Sequence, residues 1–140
     1  MTAATRPGGW VAVQEVDWST WRCDPPHPAW DELKTHIAPV FGGDVHIGGK
    51  LPALLTAAGL QDVHTAHHAF RWRRGDRYQT LLLHFTDLFA GRMLHSGDLS
   101  ADRLHALTTG LADHLDRPGT TVQESLFVQA WGRRPGAEAP

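Results

Sequence analysis

The sequence predicts an α/β fold for a chain of 140 residues. Short β-prone runs bounded by turn residues alternate with longer segments whose apolar residues recur every three or four positions. The order that results is strand, helix, helix, strand, helix, helix, strand, which is typical of α/β proteins. Three strands are few for a doubly wound sheet, so we expect a small sheet covered by helices.

The first half of the chain holds one predicted strand and two predicted helices. The strand runs from Trp10 to Val16, after a turn of one proline and two glycines. Residues 23–28 contain three prolines, which fix φ and lack backbone donors, so this segment is predicted to be a loop. Apolar spacing predicts a helix over 29–41 and another over 51–58, the second ending at a glycine.

The second half of the chain holds two predicted strands and two longer predicted helices. A strand is predicted over 63–72, followed by a helix over 78–94 with a wide apolar stripe. A further helix is predicted over 101–115, with Ser100 as its N-cap. The last strand, 121–131, is apolar on both faces towards its end, which predicts a central position in the sheet.

Charge and composition exclude several classes of partner. The net charge is −2 with acids and bases interspersed, so no basic surface is expected to attract nucleic acid. No apolar run approaches the length of about 20 residues that spans a bilayer, and the N-terminus has no apolar signal-peptide core. The single Cys23 excludes an internal disulfide. Together these features predict a cytoplasmic protein without membrane or nucleic-acid partners.

Three segments, in a fixed order, carry a resemblance to a known family. Residues 6–17 join a Pro-Gly-Gly turn to an apolar strand that ends in acids. Residues 48–63 contain leucines followed by Ala-Ala-Gly-Leu and Asp-Val, and residues 126–135 lead from an apolar strand into glycine, arginines and proline. They resemble the fifth strand, the helix before the sixth strand, and the seventh strand of class I S-adenosylmethionine (SAM)-dependent methyltransferases.

This resemblance implies a single partial domain over 1–140, namely the C-terminal half of a Rossmann-like methyltransferase. In that family the seventh strand lies between the fifth and the sixth and is antiparallel to both. The resemblance therefore implies a three-stranded mixed sheet with 121–131 in the middle. It also implies that the helical stretch at about 77–116 is an inserted lid over the substrate.

The sequence departs from the family where the cofactor is bound. The family's glycine-rich loop and ribose-binding acid belong to strands that would precede residue 6, and no such loop follows a strand here. The glycine pairs at 42–43 and 48–49 are interpreted as turn glycines between helices. We therefore expect no cofactor in the isolated chain, and SAM only if the missing half is supplied.

Three functions stay open at this point. The first is methyl transfer to a small molecule, carried out once the missing half is present. The second is a non-catalytic binding or regulatory subunit that pairs with an active methyltransferase. The third is a repurposed small enzyme, such as a cyclase or isomerase, that uses the old substrate pocket without SAM.

The resemblance also predicts an interaction surface. In a complete relative the fifth strand pairs with the fourth on one side, and that neighbour is missing here. The strand from Trp10 to Val16 would then present unpaired N–H and C=O groups, which invite pairing with another strand. We expect a homodimer or a partner chain joined through this edge.

Three residues are candidates for acid/base chemistry. Glu15 and Asp17 lie at the carboxyl end of the first strand, where ligands bind in open α/β sheets, and either could act as a general base. His84 lies in the apolar helix over 78–94 and could be an acid/base group in a pocket. The alternatives are solvated turn or capping acids and a hydrogen-bonded core histidine.

Tryptophans and histidines supply the remaining candidates. Trp18, Trp21 and Trp30 cluster in the sequence near the predicted site and are expected to form the walls of a substrate pocket. Four histidines lie on the second strand and the helix after it: His64, His67, His68 and His84. Neighbouring residues of a strand point to opposite faces, so these histidines are not expected to hold one metal ion.

Overall fold

The computed structural model describes residues 4–136, which form two compact units. The first unit contains the described residues of 1–19, 45–69 and 125–140. The second unit contains residues 20–44 and 70–124. Each unit has its own sheet, so the predicted single sheet is replaced by two.

Six strands and four α-helices follow one another in the described residues: β1 (Trp10–Asp17), β2 (Arg22–Asp24), α1 (Pro28–Ile37), α2 (Ile47–Ala57), β3 (Gln61–His68), β4 (Arg71–Arg73), α3 (Leu81–His95), α4 (Ala101–Leu115), β5 (Thr121–Gln123) and β6 (Leu126–Arg133). Short 3-10 turns follow β1 and α1. No helix of this described part is long and apolar enough to cross a membrane.

The sheet of the first unit has the strand order β1-β6-β3. β6 is antiparallel to both neighbours, with Trp10 opposite Arg133 at one end of the β1 ladder and Asp17 opposite Leu126 at the other. The predicted central position of the last strand is therefore confirmed. The predicted mixed sheet was wrong, however, because β6 is antiparallel to both β1 and β3, and the sheet therefore contains only antiparallel pairs.

One face of this sheet packs against α2. The helix contacts all three strands, and alternate residues of β6 point towards it. The buried apolar side chains of this core come from both layers: Val11, Leu51, Leu55, Leu60, Val128 and Ala130. Burial of these side chains is the main force that holds the helix on the sheet.

Two predicted strands are each divided between the two sheets. The prediction over 63–72 becomes β3 and β4, and the prediction over 121–131 becomes β5 and β6. Glu124 lies at the second break, where its N–H donates to the Phe70 carbonyl and its carboxylate accepts from Trp72 Nε1 at 2.9 Å. Both breaks lack proline and glycine, so the sequence carries no turn signal there.

The second unit combines the sheet β2-β5-β4 with three helices. Helix α1 packs against α3 and α4, and α3 packs against α4. The predicted loop over 23–28 was wrong at its start, because Cys23 belongs to β2 and pairs with Val122. The prolines all follow Asp24, so they leave the short ladder of β2 intact.

Helix boundaries were predicted best where capping residues mark them. Helix α4 begins and ends as predicted, and the Ser100 hydroxyl accepts the Arg103 N–H at 3.1 Å. Helix α1 ends four residues early, at Ile37, and a 3-10 turn containing Pro39 follows. Helix α2 begins one turn before its prediction, so the glycine pair at 48–49 lies inside the helix rather than in a turn.

Candidate functional site

The carboxylate of Asp17 links the end of β1 to the beginning of α2 in the first unit. Its Oδ1 accepts the Ser19 N–H at 2.8 Å, and its Oδ2 accepts the N–H of Gly49 at 3.1 Å. Gly49 is the third residue of α2, so a carboxylate from a distant strand caps this helix. Asp17 is buried, with 9% of its surface exposed.

Two glycines allow the helix to begin this close to the strand. A Cβ on Gly48 would lie 2.9 Å from the carbonyl carbon and oxygen of Val16, which is closer than real Cβ atoms approach backbone. A Cβ on Gly49 would lie 2.7 Å from Asp17 Oδ2. Gly48 therefore permits the close contact between β1 and α2, and Gly49 leaves room for the Asp17 carboxylate.

His46, which immediately precedes α2, also contacts Asp17. Its Nδ1 lies 3.2 Å from Asp17 Oδ1, and its side chain is 54% exposed. An ionised carboxylate only accepts hydrogen bonds, so Nδ1 carries a proton, and in the neutral ring Nε2 carries the lone pair. The pair thus presents a basic imidazole nitrogen on an exposed ring whose orientation Asp17 fixes.

Opposing effects act on the acidity of Asp17. Burial raises the pKa of its carboxyl, while hydrogen bonds from Ser19 and His46 and the charge of His46 lower it. The lowering effects are the stronger in sum, so the pKa lies below its ordinary value. Asp17 is therefore ionised near neutral pH, as an acceptor for both the helix and the imidazole must be.

The other predicted residues of the first unit are close to Asp17 in sequence. Glu15 is exposed on β1, two positions before Asp17 and on the same face of the sheet. Trp18 follows Asp17 and is 2% exposed, and its backbone N–H donates to the Val45 carbonyl at 3.0 Å. Trp18 is therefore buried as a core side chain is.

The remaining predicted residues belong to the second unit. Trp21 and Trp30 are each 1% exposed and pack edge to face with ring centroids 5.5 Å apart. Such packing makes them core residues of that unit. His84 is exposed on α3, where its Nε2 lies 3.5 Å from the Thr80 hydroxyl.

The predicted histidine strand holds no gathered ligand set. His64, His67 and His68 are exposed on β3, and His64 stacks on Trp131 with ring centroids 5.9 Å apart. Within residues 4–136 no three histidine, cysteine, aspartate or glutamate side chains come together in a way that could hold a metal ion.

A concave surface lies between α3 and α4 in the second unit. This groove has a volume of about 550 Å³ and includes Thr86 and Thr108 in its walls. Both hydroxyls donate to carbonyls of their own helices, at 2.8 and 2.9 Å. The groove offers apolar surface, whereas Asp17 and His46 offer a defined acid/base geometry.

Sequence reasoning named Asp17 as a candidate but did not name His46 or the role of the glycine pair. Asp17 and His46 are 29 positions apart and belong to no recognisable short motif, so their contact follows only from the folded topology. The glycines carried a usable signal. Two adjacent glycines directly before a leucine-rich helix indicate a close backbone approach.

Comparisons with known proteins do not assign this chain to a family. No protein-family model matches it, and no curated protein matches it either. The interpretation of the site therefore depends on its own geometry and on the topology that holds it.

Proposed function

We propose that this chain is the substrate-side part of a SAM-dependent methyltransferase that acts on a small molecule. The strand order β1-β6-β3, with β6 antiparallel to both neighbours, is the observation that carries the proposal. It is the order that the resemblance to the C-terminal half of the class I enzymes implies. The three resembling segments contain β1, most of α2, the beginning of β3, and β6.

The connection between the outer strands supports the same proposal. β1 and β3 run in the same direction, since both oppose β6, and α2 lies between them in sequence and packs on one face. Strand, helix and parallel strand form a crossover unit, into which the last strand of the chain inserts.

The pair of Asp17 and His46 gives this part a chemical role. It lies at the carboxyl end of β1, where ligands bind in open α/β sheets. His46 Nε2 would remove the proton of an acceptor hydroxyl, leaving the oxygen lone pair free for bond formation. Asp17 would hold the imidazole and stabilise the imidazolium that results.

A hydroxyl acceptor suits this pair better than other groups. A neutral hydroxyl is a weak nucleophile and gains reactivity when a positioned base takes its proton. The Asp17 carboxylate is hydrogen-bonded to α2 and to His46, so His46 is the group that would contact the substrate. Glu15, exposed nearby, is a candidate for orienting the acceptor.

The beginning of α2 does not suit the carboxylate of SAM. The start of α2 has two glycines, as a phosphate or cofactor cradle would, but the Asp17 carboxylate already accepts from this turn. A second acid or a cofactor carboxylate there would be repelled. We therefore expect the cofactor to be held by a glycine-rich half that a longer form or a second polypeptide supplies.

The test is a completed enzyme. The chain is joined to the first four strands of a small-molecule methyltransferase, and transfer of a tritiated methyl group to phenols, carboxylic acids and amines is measured. We expect transfer to hydroxyl acceptors, and a loss of about 100-fold or more in His46→Gln. Glutamine can still donate to Asp17 but cannot take a proton, and His84→Gln is the matched control.

Three results would contradict the proposal. A folded chimaera that binds SAM but transfers no methyl group to any acceptor would favour the regulatory-subunit alternative. Full transfer by His46→Gln would remove the base from the mechanism. Conversion of an acceptor by the isolated chain without SAM would instead favour the SAM-independent enzyme.

A further inference from the structure

A histidine caps helix α1 in the second unit. His27 is the residue before the helix, and its Nδ1 accepts the Ala29 N–H at 3.3 Å. A ring nitrogen can accept only while it carries a lone pair, so this cap requires the neutral imidazole with its proton on Nε2. Protonation of His27 would convert the acceptor into a donor that faces another donor.

A second histidine, His114, is buried in the last turn of α4, with 5% of its surface exposed. Its Nε2 lies 2.8 Å from the Pro25 carbonyl oxygen, which can only accept, so Nε2 carries the proton. Its Nδ1 is buried and has no hydrogen-bond partner among the residues that the structure describes. A proton on Nδ1 would therefore create a buried, charged N–H group without an acceptor.

The two rings face each other. Their centroids are 4.8 Å apart with an interplanar angle of 32°, and a Cβ on Gly110, one turn earlier on α4, would lie 3.7 Å from His27 Cε1. His27 thus rests on α4, while Pro25 is hydrogen-bonded to the same helix through His114. Two imidazolium charges at this separation would repel each other.

We propose that His27 and His114 form a proton-sensitive latch, which holds the segment from Cys23 to the beginning of α1 against α4 and releases it as the pH falls. The His27 ring makes its contact only in the neutral form, whereas a protonated His114 would keep its bond to Pro25 but carry a buried charge on Nδ1. Uptake of one proton removes a cap or charges a buried nitrogen, and uptake of a second adds repulsion between the rings.

The surrounding charges favour release rather than oppose it. Burial lowers the pKa of His27 first, and the charges of His114 and of Arg117, which follows α4, lower it further. Asp24 of β2 and Asp31 of α1 act instead on the neighbouring Cys23 thiol. The released segment therefore binds protons more tightly than the latched one, and acid shifts the equilibrium towards release.

Cys23 provides a direct measurement of the latch. It is the single cysteine of the chain, it is 3% exposed, and the His27 backbone N–H contacts its sulfur. Dithiodipyridine reacts with thiols even in acid. We divide the rate of its reaction with Cys23 in the folded chain by the rate in urea at the same pH, which removes the pH dependence of the thiol itself. We expect this ratio to rise as the pH falls below about 6.5, the ordinary pKa of histidine, by up to about tenfold per pH unit for the uptake of one proton.

Substitutions separate the two histidines. His27→Asn keeps an oxygen acceptor for the cap, and His114→Gln keeps a donor for the Pro25 carbonyl, but neither side chain titrates. Each should flatten the rise, whereas His105→Gln, an exposed position on α4, should keep it. NMR of the ring nitrogens in the unsubstituted chain should find both imidazoles protonated on Nε2. A ratio that does not change with pH, an equal rise in all three variants, or a His27 ring protonated on Nδ1 at neutral pH would overturn the latch.

Discussion

Asp17 stabilises the first unit through single, well-placed contacts. Its two oxygens accept two backbone N–H groups, and an amide can offer only one acceptor oxygen to them. We expect Asp17→Asn to lower the free energy of unfolding, measured in urea, by about 1–3 kcal/mol. Glu15→Gln is the matched control on the same strand and should change it by less than about 0.5 kcal/mol. Equal losses in the two variants would contradict the capping role of Asp17.

The same carboxylate predicts a dependence on pH. Because the pKa of Asp17 is lowered in the folded chain, the unfolded chain binds its proton more readily. The stabilisation is therefore complete above the unfolded pKa of about 3.9 and is lost as the pH falls through the folded value. Urea unfolding of wild type and Asp17→Asn should show their difference shrinking in this acidic range. A difference that grows in acid would mean that the folded pKa is raised.

Gly48 tests the close approach of helix and strand. An alanine there would place its Cβ 2.9 Å from the Val16 backbone, which cannot move as a side-chain end could. We expect Gly48→Ala to lower the free energy of unfolding by about 1–3 kcal/mol, in spite of the higher helix propensity of alanine. Gly43→Ala is the matched control, since a Cβ there meets nothing within 4 Å. A neutral Gly48→Ala in urea unfolding would remove the reason for this glycine.

Elements marked by local chemistry could be predicted from the sequence, and α4 is the clearest example. Its Ser100 cap and its leucine spacing depend only on neighbouring residues. The breaks between β3 and β4 and between β5 and β6 depend instead on which sheet each segment joins. Glu124 marks the second break through contacts with Phe70 and Trp72, which are distant in sequence. The partnership of Asp17 and His46 was unpredictable for the same reason.

The cap of α4 gives a prediction at this scale. Ser100→Ala removes the acceptor of the Arg103 N–H and should lower the free energy of unfolding by about 1 kcal/mol. Ser100→Asp restores an acceptor and adds a favourable charge at the helix N-terminus, so it should unfold at or above the wild-type urea concentration. Loss of stability in both variants would show that the hydroxyl is not acting as a cap.

At the scale of the whole molecule, the edge of the first sheet predicts self-association or a partner. In the part of the chain that the structure describes, β1 pairs with β6 on one side and with no strand on the other. Trp10 at its beginning is 55% exposed. Such an edge pairs readily with a strand of another chain.

Light scattering after size-exclusion chromatography measures this association. We expect a dimer, or a complex with a chain that adds a strand beside β1, and we expect Trp10→Lys to weaken it because a charge protects an edge. Arg71→Lys, on the short strand β4 of the other sheet, is the control. A stable monomer of 15.4 kDa at micromolar concentration would contradict the role of this edge.

Measurement of SAM binding tests the central claim most directly. The claim is that the chain carries the acceptor side of a methyltransferase and not the cofactor side. Calorimetric titration of SAM into the purified chain should give no binding up to about 1 mM. A Kd above that concentration means a binding free energy less favourable than about −4 kcal/mol. Binding should appear when the glycine-rich half is joined to it. Micromolar binding of SAM by the isolated chain would contradict the claim.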